Sequence, residues 1–301
     1  MQLNYITEQT LSLFENAELV KGKLPVGYSQ TGFVWSKNSN SLVLATSKPY
    51  FSQALSNTQV CAIITTSLFD LEVPEDKSVI VLAEADQLFH YLHNMHQPHW
   101  EVSGRIASSA TIAASANISK LAIIEENVVV EAGTYIGDFV RIKANSYIGP
   151  NCTIGSQGLL PKQVLSKKVH LTHFGGVDIG QNCYIHAGTN ISKGLFSKDK
   201  TKVGDFTHLG IQVNIAHDAS VGKNCDISGN CIIAGRASVE NNVFIGSHSC
   251  ISNWITIGEG SKVKIGSVVI NDVAPNTQVS GNYAISHKHH LLKHAKALTK
   301  G

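Results

Sequence analysis

Residues 203–222 read VGDFTHLGIQVNIAHDASVG, and within them Val203, Leu209, Ile215 and Val221 stand six apart. The same phase runs on through Ile227, Ile233, Val239, Ile245, Ile251, Ile257, Val263 and Val269. Upstream it reappears as Ile179, Ile185 and Ile191, and before that as Ile106, Ile112, Ile118, Ile124, Val130, Ile136, Ile142, Ile148 and Ile154. Glycine follows the repeat aliphatic at 137, 149, 155, 180, 204, 210, 222, 246 and 258. An aliphatic residue every sixth position, followed by a small one, is the pattern of a parallel β-helix made of short strands. Each hexapeptide supplies one strand to one face of a triangular prism, and three complete a coil of 18 residues. The aliphatic side chains stack inside, and the repeats present amount to about eight coils. Helices of this hexapeptide class wind left-handed, against the usual right-handed crossover.

The 301 residues allow a large core and more than one folding unit. A net charge of +2 with only 15% charged residues suits flat solenoid faces rich in Ser, Thr, Asn and Ala. No basic stripe suggests nucleic acid, and no apolar run has the roughly 18 residues of a membrane span. The start, MQLNYITEQT, lacks a charged segment followed by an apolar one, so no secretory signal is expected and the cytoplasm is the expected compartment. Cys152, Cys183, Cys225 and Cys231 each fall four residues after a repeat aliphatic, at the small inward-leaning slot, and read as buried hydrophobes. There is no CxxC pair for zinc, and disulfides are not expected.

Residues 1–100 have a different texture. Ser41–Thr46, Val60–Thr65 and Lys77–Leu82 read as strands and Ala83–Met95 as a helix, which makes a small α/β domain. Residues 101–280 form the solenoid, and 281–301 a C-terminal helix. The period breaks twice. The segment 156–176 shifts the register, whereas 192–202 preserves it, since Ile191 to Val203 is two repeats. Loops on a rigid scaffold are where binding residues usually sit. The tail, SHKHHLLKHAKAL from Ser286, predicts a basic helix with Leu291, Leu292, Ala295 and Leu298 on one stripe. It suits either a cap on the solenoid in a trimer or a dock for an acidic carrier protein.

Histidines are the main candidates for chemistry. His90, His93, His96 and His99 lie three apart and drift around a helix rather than converge on a metal. His290 and His294 share a helix face but lack a third ligand. His217 stands two residues after Ile215, where the strand reaches a corner and the side chain points outward. One coil further on lies Gly235, and one beyond that Asn253. A histidine stacked under a glycine N–H pairs a general base with an oxyanion donor, an arrangement suited to acyl transfer.

At these residues the chain resembles the UDP-3-O-acylglucosamine N-acyltransferases of lipid A synthesis, over nearly its whole length. Ser41–Tyr50 (SLVLATSKPY) and Val60–Ile64 are similar to that family's uridine-binding domain. Ile191-Ser-Lys-Gly194 sits where the family has Ile-Asp-Arg-Gly, and Ile215-Ala-His-Asp218 matches Ile-Ala-His-Asn, whose histidine is the family's base. Gly235 falls where the family's oxyanion amide lies. The resemblance also has departures. The family's Asp-Asn pair is Gly210-Ile211, its second histidine is Trp254, and its Gly-Phe-Gly reads Gly158-Leu159-Leu160. The aromatic that stacks on uracil is Leu44, while Tyr50 remains. That exchange removes ring stacking worth about 1 kcal/mol.

The resemblance therefore implies N-acyl transfer to a nucleotide-linked amino sugar, with lipid A or surface polysaccharide synthesis as the setting. The donor would be a phosphopantetheine thioester on acyl carrier protein or coenzyme A, with no permanently bound cofactor and no metal. His217 is the implied base and Gly235 the oxyanion donor. Asp218 or Asn214 would orient the imidazole, and Ser192, Lys193, Asn253 and Trp254 are further substrate-side positions. Leu44, Ser47 and Tyr50 are the implied nucleotide contacts. The chain is expected to form a homotrimer. A sugar O-acyltransferase and a non-catalytic scaffold are the rival readings. A metal-dependent hexapeptide enzyme is disfavoured because His186, His208, His217 and His248 show no His-x4-His pair.

Overall fold

The structure is a computed structural model that describes residues 3–96, 103–281, 286–289 and 291–292. Between residues 105 and 279 the chain winds through three parallel sheets of eight, eight and nine short strands, the left-handed parallel β-helix expected. The register follows the 18-residue coil, with Asn214 opposite Ile232 and Ile215 opposite Ile233. Every repeat aliphatic from Ile124 to Val263 is at most 2% exposed, so the period is the core itself. The four cysteines named above are buried among them, and each thiol donates to a backbone carbonyl of the next coil.

The corners hold backbone with positive φ. Asparagine fills many of them, because its short amide tolerates the left-handed region. One corner differs. Asp218, Arg236 and Trp254 lie 18 apart at φ of 60°, 63° and 64°, and bulky residues there cost about 1–2 kcal/mol each. Strain of that kind gathers where side-chain chemistry demands it.

The N-terminal domain is a five-stranded sheet in the order Glu18–Lys21, Ser78–Val81, Val60–Thr65, Ser41–Leu44 and Gln30–Gly32. Its last four strands run parallel. Alternation sends Leu42, Ile64 and Ile80 to one face and Val43, Ile63 and Val79 to the other. Of three helices, α1 (Glu8–Leu11) is short, α2 (Lys48–Ser56) covers the second face, and α3 (Ala85–Met95) covers the first. The sequence-based helix began at Ala83, but α3 starts at Ala85, because Ala83 and Glu84 form its entry. Helix α2 was not anticipated, although Pro49 marks its first turn.

Both breaks in the period leave the stack intact, since Ile154 pairs with Ile191 and Ile191 with Ile215. The first contains a hairpin, Pro161–Val164 with Lys167–His170, laid on α3. There Gln87 accepts from Leu165 N–H, and the Asn94 amide joins His170 O and Thr172 N. The second sends Leu195 and Phe196 into the core of the N-terminal domain. The C-terminal basic helix falls mainly outside the described residues, as does His99; of the tail, Leu291 and Leu292 are described and exposed. No helix of the described residues is long and apolar enough to cross a membrane.

Histidine burial between the domains carries a pH prediction. His93 accepts from Thr31 Oγ1 and donates to Thr172 O, which fixes a neutral ring linking the sheet to the hairpin. Burial pushes His90, His93, His96 and His173 each down to about 4. The folded state thus refuses protons that the unfolded chain accepts below about 6.5, and stability falls as pH drops from 6.5 toward 4. Asp199, raised to about 6 by burial and then by Asp218, acts in the opposite sense over its own window. Four groups outweigh one, with each histidine contributing about 1 kcal/mol at pH 5.5. The melting temperature should be lower at pH 5.5 than at pH 7.5, and a flat or rising profile would count against this packing.

Candidate active site

His217 is only 7% exposed, not outward and solvated as its corner position suggested, because the neck of the first excursion covers it. Its Nδ1 lies 2.8 Å from Asp218 Oδ2. A carboxylate only accepts, so Nδ1 carries a proton and Nε2 is the ring nitrogen left to exchange one. Nε2 has no partner among the described residues and is not sealed from solvent. It faces Gly235, where an added methyl would stand 2.9 Å from it. The Gly235 N–H also lacks a partner among the described residues, while its neighbour Arg236 N–H donates to His217 O at 3.1 Å. His217 Nε2 and Gly235, whose amide is free among the described residues, thus lie at one corner, one coil apart.

Asp218 is itself held from several sides. Its Oδ1 accepts from Leu195 N–H at 3.0 Å, and its own N–H donates to Thr201 Oγ1 at 2.9 Å. Arg236 Nε approaches Oδ2 at 3.8 Å. The Arg236 guanidinium lies 4.6 Å from the Phe33 ring and 4.8 Å from that of Trp254, between the N-terminal domain and the next coil. On the opposite flank the His173 ring stands 5.0 Å from His217. Its Nδ1 donates to Leu171 O, which leaves a buried, unpaired Nε2. Gly158 passes between these rings, where a Cβ would meet His173 Nε2 at 2.9 Å and His217 Cδ2 at 3.0 Å. The altered Gly158-Leu159-Leu160 segment therefore keeps its first glycine for a steric reason. Leu160 turns inward, whereas Leu159 is 84% exposed.

A cavity of about 280 Å³ opens beside this corner, lined by Trp35, Leu44, Tyr50, Leu160, Arg236 and Trp254 among others. The Trp35 ring stacks on Phe33 at 4.8 Å and lies 6.1 Å from Tyr50. A second cavity of about 300 Å³ is walled by Phe33, Trp35, Lys198, Asp199, Lys200, Lys202 and Asp218. Among the described residues, no three His, Cys, Asp or Glu side chains are arranged to hold a metal.

The structure thus brings together His217, Gly235, Asp218, Trp254, Tyr50 and Leu44. Asn214 is elsewhere: its Oδ1 accepts from the Asn190 amide on a neighbouring strand, so it does not orient the imidazole. Ser192 is buried in its strand, and Lys193 N–H closes the neck on Ser156 O, with burial lowering the Lys193 ammonium. Asn253 is exposed, and Ser47 precedes α2 without capping it. Sequence reasoning missed Arg236, Trp35, Phe196 and His173. The 18-residue step from Asp218 would have found Arg236, but the others lie where no period reaches.

The pattern of the bacterial transferase hexapeptide (six repeats) matches residues 121–156, and that of the hexapeptide repeat of succinyl-transferase matches 236–270. Among curated relatives, the acyl-(acyl-carrier-protein)–UDP-N-acetylglucosamine O-acyltransferase of Campylobacter lari is 32% identical over 185 residues, 52% of this chain and 70% of that one. The chain belongs to the hexapeptide-repeat acyltransferases. It is also similar to the UDP-3-O-acylglucosamine N-acyltransferase of Methylorubrum populi, 28% identical over 46% of this chain and 38% of that one. The bifunctional protein GlmU of Anaplasma marginale is 25% identical over 49% of this chain, but the match spans only 27% of that relative. A solved UDP-N-acetylglucosamine acyltransferase from Campylobacter jejuni covers 59% of this chain and 72% of its own, at 25% identity and a TM-score of 0.49.

Proposed function

We propose that the protein moves an acyl group from a phosphopantetheine thioester, on acyl carrier protein or coenzyme A, to the amino group of a nucleotide-linked amino sugar. The carrying observation is His217, whose Nδ1 is held by Asp218 so that Nε2 is the nitrogen left facing Gly235, beside an aromatic cavity. The sugar nitrogen attacks the thioester carbonyl, and His217 accepts its proton. Gly235 N–H stabilises the oxyanion, and collapse of the intermediate expels the thiolate, which takes the proton from His217. Tyr50 and Trp35 offer faces for the base, Trp35 standing in for the ring absent at Leu44. Lys198, Lys200 and Lys202 offer cations for the diphosphate. The Campylobacter lari relative, named as an O-acyltransferase, supports the O-acylating alternative.

Tyr50→Ala should raise KM for the nucleotide sugar about 3- to 10-fold with kcat held. Titration of tryptophan fluorescence with the free nucleotide checks this independently, and an unchanged binding curve would refute the placement. The solenoid faces carry exposed Tyr135, Tyr184, Ile232, Phe244 and Val268, apolar surface suited to a trimer in lipid A or surface polysaccharide synthesis in the cytoplasm. A trimer would have three times the 32.4 kDa chain mass in solution, and a monodisperse monomer would contradict it.

A further inference from the structure

The loop at 192–202 leaves the solenoid, yet both its ends return to a single residue, Asp218. Leu195 N–H donates to Asp218 Oδ1 at 3.0 Å, and Thr201 Oγ1 accepts from Asp218 N–H at 2.9 Å. Between those contacts, Leu195 and Phe196 are 3% and 4% exposed in the core of the other domain. The Phe196 ring meets Phe33 edge-on at 4.7 Å and His93 at 5.4 Å, and Ser197 Oγ donates to Gln30 Oε1 at 3.1 Å. Phe33 is in turn stacked on Trp35, which walls the nucleotide cavity.

We infer that Phe196 is a positioning residue: its seat in the N-terminal domain holds Leu195 N–H on Asp218, and Asp218 holds the His217 ring. This rests on the role of His217 proposed above. Asp218 offers two oxygens, and the imidazole needs one of them in a fixed direction. With Leu195 N–H holding Oδ1, the carboxylate cannot swivel, and Oδ2 stays on His217 Nδ1. The same aromatic row runs from Phe196 through Phe33 and Trp35 to Tyr50. A nucleotide sugar filling the cavity therefore packs against the row that aligns the base.

Phe196→Ala should lower kcat about 10- to 100-fold, since a displacement near 1 Å suffices, while KM for the nucleotide sugar changes little. Phe196→Leu, which refills the apolar seat, should restore most of it. Ser197→Ala provides a milder variant if Phe196→Ala fails to fold. A second readout is independent of turnover: the proton on His217 Nδ1, bonded to a carboxylate, gives a downfield resonance in 15N-histidine-labelled protein, assigned by its loss in Asp218→Asn. That resonance should broaden or vanish in Phe196→Ala and return in Phe196→Leu. Full kcat together with an unchanged resonance in folded Phe196→Ala would overturn the inference. If the wild type acylates no amino sugar, the function proposed above fails, and the resonance alone decides whether Phe196 positions His217.

Discussion

His217→Ala should lose at least about 10²–10⁴-fold in turnover, the usual worth of a positioned general base. The loss follows from one nitrogen. Nδ1 is committed to Asp218, so Nε2 is the only part of the ring able to accept a proton, and it faces the Gly235 corner. From sequence alone the substitution should leave the melting temperature almost unchanged, as for an outward-pointing histidine. The buried ring alters that expectation, because truncation leaves Asp218 short of one donor at a cost of about 1–3 kcal/mol. Asp218 keeps its bonds to Leu195 and Thr201, so the variant should fold with a modestly lower melting temperature. A folded His217→Ala protein with wild-type turnover would remove the base from the mechanism.

Gly235→Ala should reduce turnover by about 10²-fold or more, with a fall in stability no larger than that of His217→Ala. The backbone at Gly235 is not in the left-handed region, so alanine brings no conformational penalty there. Its methyl would meet His217 Nε2 at 2.9 Å and Cε1 at 3.2 Å, closer than ordinary van der Waals contact. The methyl occupies the space where nucleophile and carbonyl carbon must meet, and it pushes the ring off its line with Asp218. A misplacement of about 1 Å accounts for a loss of that size. Losing turnover in a folded protein separates this steric effect from unfolding. Full activity in Gly235→Ala would show that the reaction takes place away from this corner.

The hexapeptide phase was legible because one physical fact, burial of an aliphatic every sixth residue, writes itself into the sequence without interruption for twelve repeats. The 18-residue coil then located Gly235 above His217, and the structure has them in contact. Period failed where contacts are between domains. Phe196 looks like an exposed loop aromatic in the sequence and is a buried anchor, because its partners Phe33, Phe89 and His93 lie more than a hundred residues away. His173 is hidden because it lies in the segment that shifts the period, so no coil step leads from it to His217. Asn214 was plausible by proximity in sequence, but strand alternation sends its side chain toward Asn190. Asp218, at a corner with positive φ, turns back onto the imidazole instead.

The most direct measurement is mass analysis of the product formed from an acyl thioester and a nucleotide amino sugar, with its 2-hydroxy counterpart offered in parallel. The account predicts a single acyl group on the amino sugar, held as an amide that survives hydroxylamine, with one thiol released per product and none formed by His217→Ala. A hydroxylamine-labile ester on the hydroxy sugar, or no consumption of thioester with any donor, would contradict it.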